Sequence, residues 1–172
     1  MKQTIISPQH RQDCKRVPEG FGPGTYVLLL RVAVDWTCQV GKLGRLTFCT
    51  GFYLYVGSAQ GRGGISGRLR HHLNPSAVPH WHIDYLAKVA TLEEIWYQES
   101  QTKQEHNWAA ILSTLRGIPL AGFGSSDCRC QSHLFLFVRR PRINSLRKAL
   151  RDLEYEAQGI KMLRVRTGGG PV

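Results

Sequence analysis

The sequence has no apolar run long enough to cross a bilayer. Tyr26–Leu30 and Phe52–Val56 fall far short of the ~20 residues a membrane helix needs. It has no positively charged start leading into an apolar segment, so no secretory signal is expected. Acidic residues are scarce: 12 Asp and Glu stand against 23 Lys and Arg, leaving a net charge of +11. The five cysteines (Cys14, Cys38, Cys49, Cys128, Cys130) are odd in number and irregular in spacing. That argues against a disulfide framework and for a reducing, cytoplasmic compartment. There is no internal repeat and no second apolar core.

What is present fits one domain: 172 residues, 42% of them apolar, enough for an ordinary core. The basic excess calls for a polyanionic partner, because Lys and Arg gain affinity by displacing the counterions of phosphates. The charge lies in patches: Arg62, Arg68 and Arg70 with His71 and His72; Arg139, Arg140 and Arg142; Arg147, Lys148 and Arg151; Lys161, Arg164 and Arg166. A merely solubilising surface is the plainer reading. Nucleic acid is favoured because the first patch flanks a pair of tyrosine motifs. A membrane partner is not expected, since no patch sits on a helix with a broad aromatic face.

Residues 1–20 read as a loose leader, 21–158 as a single domain and 159–172 as a basic tail, part strand and then loose. The turn cluster Gly20–Gly24 opens a strand over Thr25–Val34. Asp35–Val40 and Leu46–Phe48 form a short hairpin around Gly41–Gly44. Phe52–Gly57 is a strand on which period two places Phe52, Leu54 and Val56 in the core and Tyr53 and Tyr55 on a more exposed face. A glycine-rich loop over Ser58–Gly67 precedes a helix of about Ile65–Leu73, stopped by Asn74-Pro75. His80–Leu86 is a short helix, Thr91–Ser100 a strand and Gln101–Leu115 a helix with Trp108, Ile111, Leu112 and Leu115 at spacings of three and four. Leu120–Arg129 is a loop and His133–Val138 a strand. Asn144 is expected to cap a last helix whose stripe is Leu146, Ala149, Leu150 and Leu153.

The chemistry gathers around Gly24-Thr25-Tyr26 and Tyr55-Val56-Gly57, which put two phenols on neighbouring strands. Arg68 and His72 are four apart, on one helical face, and can reach the same phosphate. Glu105 lies one turn back along the apolar stripe of its helix. A carboxylate there is unfavourable unless a cation or donor meets it, which makes it a candidate metal ligand. Each residue has a plainer reading. The tyrosines are packing residues, Arg68 is a solvated charge, His72 a buried histidine and Glu105 a helix N-terminal acid. As an ordered set they are what a one-metal phosphodiester-cleaving site needs.

Gly24-Thr25-Tyr26, Tyr55-Val56-Gly57, Arg68 and Glu105, in that order, resemble the GIY-YIG nuclease domain over roughly Gly24–Leu115. Three longer segments, Gly51–Ala59, His80–Leu86 and Gly122–Cys128, resemble one subgroup of it. Its members occur alone or fused to endonuclease-III-type repair glycosylases, and have been labelled a domain of unknown function or a Uri-type endonuclease. The resemblance implies an α/β (α+β) fold: a small antiparallel sheet of three strands flanked by helices, here with a C-terminal strand-helix extension. It implies a metal-dependent DNA endonuclease, linked to repair, with RNA not excluded. One Mg²⁺ or Mn²⁺ would sit on Glu105, Tyr26 and Tyr55 would position and activate water, Arg68 would hold the phosphate and His72 would assist. Gly57, Ser58, Arg62, Arg70 and His71 would contact the nucleic acid. Thr25 stands where the family has isoleucine, Ser58 where lysine is common, and His71 where the subgroup often has arginine. The loop before Arg68 is longer than usual.

Two other readings stay open: a non-catalytic nucleic-acid-binding module, and a zinc-stabilised interaction domain built on Cys128, Cys130 and His133 with His80 and His82. A single residue between the cysteines is unusual for a structural zinc centre. A polar network supporting the loops is therefore preferred for these residues and Asp84. His106 and Asn107 read as packing or polar support.

Overall fold

The computed structural model describes residues 19–74, 76–153, 155 and 159–165. Most of the expected leader, Pro75 and the glycine-rich end of the tail lie outside the described residues. Strand β1 (Gly24–Val32) pairs antiparallel with both β4 (Gly51–Ser58) and β5 (Ala90–Glu99). These three central strands are those the resemblance implied. The sheet is wider than that, with six strands in the order β6-β7-β4-β1-β5-β8, where β6 is Ile118–Pro119, β7 Leu134–Phe137 and β8 Lys161–Arg164. The hairpin β2 (Trp36–Gln39) and β3 (Arg45–Phe48), turned by a 3₁₀ segment at Gly41–Leu43, stands apart as a second, two-stranded sheet. Among the described residues no helix is long and apolar enough to cross a membrane.

Both faces of the large sheet are covered, giving three layers. Leu28, Leu30 and Tyr53 face helix α1 (Gly64–Leu73), helix α2 (His82–Ala87) and the hairpin, packing with Ile65, Leu69, Ile83, Leu86 and Phe48. Val27, Leu29, Leu54, Val56 and Trp96 face helix α3 (Glu105–Thr114) and helix α4 (Ile143–Asp152), packing with Trp108, Ile111, Leu112, Leu146 and Leu150. A strand covered on both sides reads as a continuous apolar run, and in β1 only Arg31 is exposed.

Three expectations need correction. Tyr53 is not on an exposed face: it is fully buried and its hydroxyl donates to the Cys49 carbonyl at 2.8 Å. The glycine-rich segment is shorter as a loop than expected, because α1 starts at Gly64. Asn144 does not cap α4. The helix begins at Ile143 after an extended Arg142, and Leu153 at its far end is exposed. The first and third positions of the expected stripe hold, since Leu146 and Leu150 are fully buried.

A candidate nuclease cleft

The register of β1 and β4 brings the two tyrosine motifs together, with Tyr26 opposite Gly57 and Leu28 opposite Tyr55. Glycine is required at 57 by contact: a Cβ there would lie 2.3 Å from Cζ and the hydroxyl of Tyr26. At Gly24 a Cβ would meet the Gln98 carbonyl oxygen at 2.2 Å, where β5 pairs closely. Both glycines thus let a tyrosine ring or a neighbouring strand close onto the backbone.

Tyr26 and Tyr55 open onto a polar cleft of about 540 Å³, together with Gly57, Ser58, Arg68 and Glu105. These six residues of the expected site are brought together. His72 lies beneath them, buried, its Nε2 2.8 Å from the Tyr26 hydroxyl. Burial lowers its pKa to about 3, with His71 adding to the effect, so the ring is neutral and accepts at one nitrogen. Burial also raises the pKa of Tyr26 and of Tyr55 well above the ordinary value; Tyr55 and Glu105 add to the effect on Tyr26, Glu105 adds to that on Tyr55, and Arg68 opposes both. Both phenols therefore carry their protons. The Arg68 guanidinium stacks 4.5 Å above the Trp81 ring, which holds the fork in place while leaving its edge to the cleft.

Glu105 is 7% exposed at the start of α3. Lys103 Nζ stands 2.7 Å and His106 Nε2 3.6 Å from its Oε1. The carboxylate hydrogen bond raises the pKa of Lys103. A single hard oxygen donor at the edge of an open polar space suits a cation that keeps most of its water, which is the binding mode of Mg²⁺ and Mn²⁺. The donor set fits that group.

The expected nucleic-acid contacts divide. Arg62 and Arg70 are exposed and lie outside the cleft lining. His71 is partly exposed and lies outside the cleft lining, its Nε2 meeting Asp84 Oδ1 at 2.9 Å and its ring packing 4.4 Å from Trp81. Asp84 is buried, and its other oxygen accepts the amides of His80 and Trp81 at 2.8 and 2.9 Å. Burial opposes its charge, yet the Trp81 amide, His71 and the His80 amide together hold its pKa below the ordinary value. Asp84 so fixes the Trp81 ring on which Arg68 rests. Lys103 and Gln60, which the sequence reading did not single out, also line the cleft, as do Asp127 and the zinc candidate His133. Lys103 is two residues from Glu105 and could have been found by asking what neutralises that carboxylate. In the second basic patch, Arg140 is committed to Glu93 and to Glu94, the latter at 2.9 Å.

The family model described as Domain of unknown function DUF123 matches residues 25–155, which contain every cleft residue named above. No curated protein and no solved structure matches the chain.

Proposed function

We propose that this chain, which belongs to the family described as Domain of unknown function DUF123, is a metal-dependent endonuclease of GIY-YIG type that hydrolyses DNA phosphodiesters. One observation carries the reading. Two tyrosines, an arginine and a glutamate from β1, β4, α1 and α3 line one polar cleft on a strongly basic chain. Arg68 offers a planar fork to the scissile phosphate, whose charge grows in the transition state. Tyr55 donates its hydroxyl to a phosphate oxygen or to the attacking water. Tyr26 takes a proton from that water only as it passes its own to His72 Nε2, 2.8 Å from its hydroxyl. An entering phosphate raises the basicity of His72. Glu105 would hold the Mg²⁺ or Mn²⁺, which supplies a more acidic water and polarises the phosphoryl group.

The ion pair between Lys103 and Glu105 favours a second reading, binding without hydrolysis, since the ammonium occupies the oxygen a cation would use. Incubating the protein and its Glu105→Gln variant with branched, nicked and duplex DNA, and with RNA, decides between them. Hydrolysis requires cutting with Mg²⁺ or Mn²⁺ that chelator stops and the variant lacks. Tight binding with no cutting of any substrate would leave the binding module.

A further inference from the structure

Beside the cleft, with His133 in its lining, four side chains converge that the proposed reaction does not use. His106 comes from α3, and Cys128, Cys130 and His133 from the segment leading into β7. One ligating atom from each lies within 4.8 Å of all the others. His106 Nδ1 is 3.3 Å from Cys130 Sγ, and His133 Nε2 is 3.5 Å from Cys128 Sγ. With Zn–S of about 2.3 Å and Zn–N of about 2.0–2.1 Å, neighbouring sulfur and nitrogen ligands of a tetrahedral zinc stand about 3.5 Å apart. The two measured edges agree with that figure.

We infer that His106, Cys128, Cys130 and His133 form a closed, four-ligand structural Zn²⁺ site. Two sulfurs and two imidazoles select zinc over the oxygen-seeking cations, and four protein ligands leave no open position for catalysis. The backbone presents the ligands: Gly122 donates to Gln131 at 2.9 Å and His133 to Phe123 at 2.8 Å, closing the loop before any metal enters. The far nitrogen of His106, Nε2, faces Glu105 Oε1 at 3.6 Å, as outer carboxylates commonly face the free nitrogen of a ligating histidine. The metal joins α3 to the Gly122–His133 segment and so fixes the wall that carries Glu105. His80 and His82 take no part: His80 lines the cleft, and His82 Nδ1 accepts the Gly124 amide at 3.2 Å.

The test uses untagged full-length protein purified in reductant, its metal measured by mass spectrometry, and the metal-stripped protein titrated with Co²⁺. About one zinc per chain and a cobalt–thiolate charge-transfer band are expected. Cys128→Ser with Cys130→Ser should abolish both, whereas Glu105→Gln should keep both, which separates this site from the exchangeable Mg²⁺ position. Wild-type protein that neither retains zinc nor gives the cobalt band overturns the inference, as does zinc retained by the double cysteine variant. Should that variant fail to fold, the wild-type cobalt spectrum decides alone.

Discussion

Lowering the pH from about 7.5 to about 4.5 should weaken this fold by about 3 kcal/mol through a single side chain, His72. The imidazole is buried against Tyr26 and Trp81 and stays neutral, with a pKa lowered from 6.5 to about 3. Above the unfolded value both states leave it uncharged, and it adds no pH dependence. Below that value the unfolded chain binds a proton that the native state refuses, so stability falls as the pH drops. Each unit in that window is worth about 1.4 kcal/mol. At about pH 4.5 two units have been crossed, and the result is insensitive to the native pKa so long as it lies well below the assay pH. A loss of this size is a large part of the roughly 5–15 kcal/mol that holds a domain together. Urea unfolding at both pH values, for wild type and His72→Gln, isolates the effect. The glutamine can still accept from the Tyr26 hydroxyl but does not titrate. Asp84 also loses stabilisation in acid, since its native pKa is lowered, but it does so in both proteins. The wild type should lose about 2–3 kcal/mol more than the variant. Equal losses would refute a neutral, buried His72.

Two further outcomes follow from the same geometry. Gly57→Ala puts a methyl 2.3 Å from the Tyr26 hydroxyl, so thermal unfolding should report a loss of about 1–3 kcal/mol; an unchanged midpoint means the ring does not rest on this glycine. Arg62→Ala and Arg70→Ala should each reduce the slope of log affinity for DNA against log salt by about 1. A slope identical to wild type would remove this flank of α1 from the interface.

Much of the fold could be read from the chain, because turns and periodicity agreed with tertiary structure. The strands around both tyrosine motifs, the Gly41–Leu43 turn and the inward Glu105 are where the spacing puts them. The failures share a cause. Period two cannot tell which side of β4 is buried when both are, and Tyr53 and Leu54 are equally enclosed. Glycines at 63 and 64 suggested a loop, yet their backbones take positive φ of 89° and 53° at a helix start. Nothing local indicates that His71 pairs with Asp84, or that His106 meets Cys130, since each contact joins separate elements. In the site, the order Tyr, Tyr, Arg, Glu was visible because each residue sits on a regular element. Lys103 and Gln60 were not, because they reach the cleft from segments outside the helices and strands.

The strand order has a kinetic consequence. β1 lies inside the sheet and finds its two partners within the first hundred residues, but the outer edge of β5 waits for β8. Trp96 pairs with Met162, about 66 residues later, and at a synthesis rate of ~5–20 residues per second that is a delay of roughly 3–13 seconds. Throughout that interval β5 presents open amides to whatever is nearby. β8 is therefore the latch of the nascent chain, and a ribosome pausing before residue 161 would leave a near-complete domain with a sticky edge.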